Sequence, residues 1–268
     1  MSIVIIGNGI IGLTTAYRLA KKQPQVSIRI IGPSHHKGCA SLAAAAMLNS
    51  FCEVDPDTLG NPILKERFTL NRAAVPLWPE FLSTLMSDSG VNINHGFGTY
   101  LIHNHAADEL DDANFKAVED ALKIYNEPYT AVDPQTIPNY MPTSSVRAAK
   151  AIFIPNEGWV NPVDLLEALK TFLRKQPQVA FVDGTANSIE CSGGKVQSVR
   201  LENGESVDGD RFLLCPGANF TRIVEKSNLP IQLPKVFYGV GCSILLKTGD
   251  VYPLIGPAAT PIAYLTLD

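Results

Sequence analysis

The stretch Ile3-Val4-Ile5-Ile6-Gly7-Asn8-Gly9-Ile10-Ile11-Gly12 decides the fold. Four β-branched residues in a row, with no polar alternation, suit a parallel strand buried on both faces. From Ile11 to Lys22 the spacing turns helical, with Leu13, Ala16, Tyr17, Leu19 and Ala20 carrying the apolar pattern. Pro24 stops that helix. Val26-Ser27-Ile28-Arg29-Ile30-Ile31 then reads as a second strand, closed by Gly32-Pro33. Strand, glycine turn, helix and strand together fill about 30 residues, the size of a βαβ crossover. In this setting the G-x-G-x-x-G has a mechanism. Gly7 permits the tight turn, Gly9 lacks the Cβ that would keep a pyrophosphate off the backbone, and Gly12 lets the helix pack close to the strand. Phosphates then meet the free N–H groups and positive end of the helix, which brings Ile10 and Ile11 into the binding turn. A dinucleotide site is the expectation.

One part of such a site is missing. An acidic residue ordinarily ends the second strand and holds the adenosine ribose. Here that position is Gly32, and no Asp or Glu occurs between Met1 and Phe51. The ribose hydroxyls therefore fall to backbone groups, to Ser34 or to water.

Working outward, Ser41-Leu42-Ala43-Ala44-Ala45-Ala46-Met47-Leu48 is rich in the best helix former, so a short helix is expected there. Its small side chains also admit a close backbone or a flat ligand. Leu64 to Met86 reads as a long helical region kinked at Pro76 and Pro79. Gly96 to His103 alternates as a strand. Asp108 to Tyr125 is an amphipathic helix, with Leu110, Phe115, Val118, Leu122 and Ile124 expected inside. Glu157-Gly158-Trp159-Val160-Asn161-Pro162 precedes a helix from Pro162 to Lys175, with Asn161 as N-cap and Pro162 at its first position. Val179–Val182, Ala186–Cys191, Val196–Glu202, Arg211–Cys215 and Val236–Lys247 read as strands, the second and third joined as a hairpin through Ser192-Gly193-Gly194.

Composition narrows the class. The chain has 268 residues, 46% hydrophobic and 18% charged, which is an ordinary globular mix. Lys plus Arg is 22 and Asp plus Glu is 26, a net charge of −4 that disfavours non-specific nucleic-acid binding. Five cysteines with no CxxC pair argue against a disulfide framework or a structural zinc site, so reduced thiols in a cytoplasmic protein are expected. No apolar run reaches the ~18 residues of a membrane span. His95, His103 and His105 lack the spacing of a zinc helix motif, and no metal is expected.

Taken together, these segments resemble the glycine oxidase and D-amino-acid oxidase superfamily of FAD-dependent oxidoreductases. Gly7–Gly12 is similar to its FAD fingerprint. The segment Ala40 to Leu48 resembles its Ser/Thr- and Ala-rich stretch ending in Gly-Met-Leu, with Ala46 at the glycine. Glu157–Pro162 resembles its Gly-x-(Val/Ile)-(Asp/Asn)-Pro, and Leu213-Leu214-Cys215-Pro216-Gly217-Ala218 its second glycine motif.

The resemblance implies an α/β fold with a Rossmann-like FAD domain, residues 1–75 and 142–220. It implies a mixed-sheet α+β substrate domain, residues 76–141 and 221–268, that is C-terminally incomplete. It also implies that Ala40, Ser41, Ala45, Ala46 and Met47 run under the ribityl chain and isoalloxazine ring. Ala186 would contact the adenine through backbone, and Cys215, Pro216 and Gly217 would close over the FAD.

The activity implied is hydride transfer from a small amine or amino acid to flavin N5, giving an imine. No catalytic acid or base is then obligatory. Tyr238, on the strand expected to line the substrate cavity, is either an active-site hydroxyl or a core aromatic. His35-His36 is either a flavin contact or an exposed loop pair. Cys52 reads as a buried, inert thiol. Family members are longer, so a second chain completing the fold in a hetero-oligomer is expected. The alternative function is a non-catalytic FAD-binding subunit whose partner supplies the substrate site.

Overall fold

The computed structural model describes residues 1–35, 39–104, 108–138, 140, 142, 147–227, 229, 231–237 and 239, with the backbone of 245–246, 254–257 and 266–267. In chain order the elements are β1 (Ser2–Ile6), α1 (Ile10–Lys22), β2 (Ser27–Ile31), α2 (Ala40–Ala43), β3 (Met47–Leu48), α3 (Pro62–Ala74), α4 (Trp78–Ser89), β4 (His95–Asn104), α5 (Glu109–Ile124) and β5 (Thr130–Val132). They continue with β6 (Ala148–Val160), α6 (Pro162–Arg174), β7 (Val179–Val182), β8 (Ala186–Ser192), β9 (Lys195–Leu201), β10 (Ser206–Asp208), β11 (Arg211–Leu214), α7 (Phe220–Glu225), β12 (Leu245–Leu246), β13 (Leu254–Pro257) and β14 (Thr266–Leu267). The mixed α/β class expected from the sequence is what the chain adopts. No described helix is long and apolar enough to cross a membrane.

The chain forms two units. The first takes Met1–Ala44, Leu85–Asn92 and Pro162–Gly241. Its centre is a parallel sheet in the order β11-β1-β2-β7. Ile3 lies opposite Arg211 on one side and Ile28 on the other, so β1 is flanked on both edges. That explains its unbroken apolar run: Val4, Ile5 and Ile6 are buried, as are Ile28, Ile30 and Ile31 beside them. One face of the sheet packs on the antiparallel β10-β9-β8 layer through Ile189, Val199 and Leu201, and Ile223 of α7 joins the same cluster. Helix α1 buries Leu13, Ala16, Tyr17 and Ala20, and Tyr17 meets Phe172 of α6 edge-on with ring centroids 4.8 Å apart.

The second unit takes Ala45–Thr84, Ile93–Asn161 and Cys242–Asp268. Its sheet runs β13-β4-β6-β3, with β5 also on β6. Phe51, Phe68, Leu101, Phe115, Val118, Leu122, Ile152 and Ile154 form its core. Residues 1–44 and 162–220 thus lie in the first unit, and 45–75 and 147–161 in the second.

Several local expectations need correction. Only Ala40–Ala43 of the Ala-rich segment is helical, because Met47–Leu48 is drawn into strand β3 beside Trp159 and Gly158. Glu157–Val160, ahead of the helix as expected, is the end of a 13-residue strand β6, the partner of β3, β4 and β5. On α5, Phe115, Val118 and Leu122 face inward as expected, but Leu110 and Ile124 are 61% and 68% exposed. The helical phase places Asn114 and Ala121 in the buried set instead. Of the strand expected over Val236–Lys247, the described residues show only Leu245–Leu246, and Phe237 is 90% exposed. The long helical region breaks at Val75–Leu77, a 3-10 turn containing Pro76.

Candidate functional site

The glycine turn is built by strand pairing on either side. Gly7 N–H donates to the Ile31 carbonyl at 2.8 Å, and Cys215 N–H donates to the Ile6 carbonyl at 2.8 Å. Gly7 sits at φ +116°, and a Cβ there would lie 2.1 Å from the Cys215 carbonyl oxygen. A Cβ on Gly12 would lie 2.0 Å from the Gly7 carbonyl oxygen and 3.3 Å from Ile5 Cγ2, so helix and strand approach as closely as the motif demands. Gly9 differs: its Cβ would meet only Ser41 Oγ, at 3.2 Å, which leaves an open backbone face.

Helix α1 has no side-chain cap of its own; Gly9 is its N-cap and no acid stands in its first turn. Ser41, from α2, comes to its N-terminus instead, and Ile10 N–H donates to Ser41 Oγ at 3.1 Å. The Ile11 and Gly12 N–H groups have no protein acceptor among the described residues. Ile11 itself is 64% exposed. Unpaired N–H groups, a positive helix end and an open backbone face are the features that favour an anion.

Beside this turn, Gly32 N–H donates to the Val182 carbonyl at 3.1 Å. Asn8 is buried and donates from Nδ2 to the Pro33 carbonyl at 3.0 Å. Its side chain fills the space that a Cβ on Gly32 would need, at 2.2 Å from Cγ. Ser34 does not stand alone: its N–H and hydroxyl donate to the two carboxylate oxygens of Asp183, at 2.7 and 3.0 Å. Sequence reasoning missed Asp183, although an acid directly after the strand Val179–Val182 is visible in the sequence.

Of the other expected residues in this unit, Pro216 and Gly217 follow β11 and open a 3-10 turn, Gly217–Asn219. Cys215 is half-buried and its thiol is pushed up by burial. Ala186 heads β8 opposite Leu201, and its carbonyl accepts from Arg222 Nη2 at 3.1 Å. Arg222 also pairs with Glu202 at 2.8 Å. Ala40 is the first residue of α2. His35 is exposed, and His36 lies outside the described residues.

In the second unit, Ala45, Ala46 and Met47 are half-buried. Ala46 stands at φ +50°, a left-handed conformation that favours glycine, and its carbonyl accepts the Val160 N–H at 3.1 Å. Glu157 closes the far end of the segment. It is 1% exposed, and its carboxylate accepts the N–H and hydroxyl of Ser50 and the N–H groups of Phe51 and Cys52. Burial pushes the Glu157 carboxyl up despite these bonds. Burial, and then Glu157, pushes the Cys52 thiol well up. His95 Nδ1 lies 2.7 Å from the Ile93 carbonyl and His103 Nε2 is 2.7 Å from Asp112 Oδ1, whereas His105 lies outside the described residues. Tyr238 is also outside them. A cavity of about 350 Å³ opens beside Val54, Pro56, Leu59, Ala113 and Ala117, and none of the expected site residues lines it.

The profile of the FAD dependent oxidoreductase (DAO) family matches residues 2–261. The chain belongs to that family. Among solved structures it is similar in fold to glycine oxidase from Geobacillus kaustophilus, with TM-score 0.68 and 19% identity over 84% of this chain and 57% of that one. Iminodiacetate oxidase from Chelativorans sp. BNC1 gives TM-score 0.63 and 19% identity over 82% and 56% of the two chains. A curated relative is the tRNA 5-methylaminomethyl-2-thiouridine biosynthesis bifunctional protein MnmC of Saccharophagus degradans. It is 22% identical over 238 residues, 85% of this chain and 30% of its own. The chain thus spans little more than half of these oxidases and under a third of the bifunctional protein.

Membership of an FAD-dependent family makes FAD the cofactor, and the first unit fits it. Gly9 leaves a backbone face that a Cβ would close, the Ile11 and Gly12 N–H groups have no acceptor among the described residues, and α1 carries no acid in its first turn. The family resemblance puts a glycine at Ala46, and the backbone there has the positive φ that favours glycine.

Proposed function

We propose that the protein oxidises a small amine or amino acid to an imine. The observation that carries this reading is the N-terminus of α1, whose Ile11 and Gly12 N–H groups have no acceptor among the described residues, beside the open Gly9 backbone in a chain of the FAD-dependent oxidoreductase family. Gly7, Gly9, Ile10, Ile11, Gly12 and Ser41 hold the pyrophosphate side. Ser34, Ala186, Cys215, Pro216 and Gly217 complete the adenosine and closing contacts, and Ala40, Ala45, Ala46 and Met47 serve the flavin end. When bound, FAD supplies the acceptor for a hydride leaving the amine α-carbon.

The protein's own part is positional. The α1 N-terminus neutralises phosphate charge, and the Ser41 hydroxyl, which accepts from Ile10, has its own proton to donate to a phosphate oxygen. The paired β3 and β6 keep Ala45–Met47 in one conformation. The substrate, the electron acceptor, a cytoplasmic location and a second chain completing the fold are parts of the same proposal.

The test is an amine panel containing glycine, sarcosine, proline and D-alanine, assayed for peroxide under oxygen and for dye reduction without it. Turnover of a primary or secondary amine, lost in the Gly9→Ala variant, is expected. A protein that holds FAD and turns over none of them, alone or with chains that copurify, supports the FAD-binding subunit instead.

A further inference from the structure

We infer that Asp183 supplies, from the end of β7, the carboxylate that a dinucleotide site ordinarily takes from the end of β2, and that it binds the ribose 2′-hydroxyl of the adenosine. This rests on the FAD reading above. Strands β2 and β7 are parallel, with Ile31 opposite Val182, so the next residues in register are Gly32 and Asp183. Both stand just past the carboxyl ends of their strands, where ligands of open parallel sheets bind. An acid at position 32 has no room: its Cβ would lie between 2.2 and 2.6 Å from Asn8 Cγ, Oδ1 and Nδ2, and Asn8 is buried and tied to Pro33. The carboxylate one strand over meets no such obstacle.

Asp183 is exposed, and the Ser34 N–H and hydroxyl each bind one of its oxygens. A carboxylate has roughly four acceptor positions, so about two stay open. Among the described residues it has no cationic partner that would consume them. Ser34, besides its own place at the adenosine, fixes the carboxylate through backbone and side chain together, and Asp183 is the ribose acceptor.

The experiment uses the full chain freed of flavin and titrated by flavin fluorescence with FAD and with its 2′-deoxyadenosine analogue. Asp183→Asn should weaken FAD about tenfold, the loss of a hydrogen bond to a charged acceptor. The wild type should bind the deoxy analogue weaker by a similar factor, the analogue should lose little further in Asp183→Asn, and Asp183→Glu should recover most of the affinity for FAD. Equal FAD affinity in the wild type and Asp183→Asn overturns the assignment. So does a substitution that weakens both ligands alike, which is the mark of a loop brace. A wild-type chain that takes up no FAD at all overturns the FAD reading itself, and the ribose contact with it.

Discussion

The Glu157 carboxylate accepts the Ser50 N–H at 2.6 Å and the Ser50 hydroxyl at 3.1 Å, joining positions 107 residues apart. The Phe51 N–H and, at 3.3 Å, the Cys52 N–H complete the nest. Because β3 pairs with Gly158 and Trp159 next door, this one side chain ties the end of the Ala-rich segment to β6. Glu157→Ala leaves several buried donors without an acceptor. A loss of about 2–4 kcal/mol is expected in urea unfolding.

The same carboxyl gives a pH signature. Burial raises its pKa in the folded protein, so its contribution to stability is full below the ordinary carboxylate range and is lost as pH rises through the raised value. The stability difference between wild type and Glu157→Gln should shrink as pH rises from the ordinary glutamate range toward neutrality. Urea titrations at several pH values read this directly, and a constant difference contradicts it.

Two glycines of one motif should fail in different ways. Gly12→Ala drives a methyl against the Gly7 carbonyl and Ile5, which costs about 1–3 kcal/mol of stability. Gly9→Ala meets only Ser41 Oγ, so thermal unfolding without flavin should change little, while FAD affinity falls at least tenfold. Equal effects of the two on stability would contradict the open-face geometry.

Ala46 holds a positive φ without glycine's freedom. Ala46→Gly should stabilise the flavin-free protein by about 1 kcal/mol, as relief of left-handed strain. Chemical denaturation measures it, and a destabilised variant would show that the methyl packs.

Cys52 is buried, with its thiol pushed up by burial and then by Glu157. Native labelling with a thiol reagent, mapped by mass spectrometry, should spare Cys52 and mark the half-exposed Cys39 and Cys191. Labelling of Cys52 before unfolding would contradict its burial.

Local signals carried most of the fold. The run Ile3–Ile6 and the glycines after it lie within one short window, and β1, α1 and β2 appear within a residue or two of their expected bounds. Strand β6 was not readable, because Pro155, Asn156 and Gly158 interrupt it with turn residues and only its partners β4, β5 and β3 hold it extended. Asp183 was hidden for a related reason. Its neighbourhood with Gly32 and Ser34 comes from pairing of β2 with β7 across about 150 residues, which no local pattern records. Leu110 and Ile124 stay exposed at the two ends of α5, where the apolar stripe runs past the core it packs on.

The most direct measurement is the visible absorption spectrum of the purified 268-residue protein, before and after denaturation with FAD quantified in the supernatant. Flavin bands with near-stoichiometric release of FAD are the expected result, abolished or sharply reduced in Gly9→Ala. A folded, colourless protein that takes up no FAD when the cofactor is supplied would contradict a cofactor site at the β1–α1 turn.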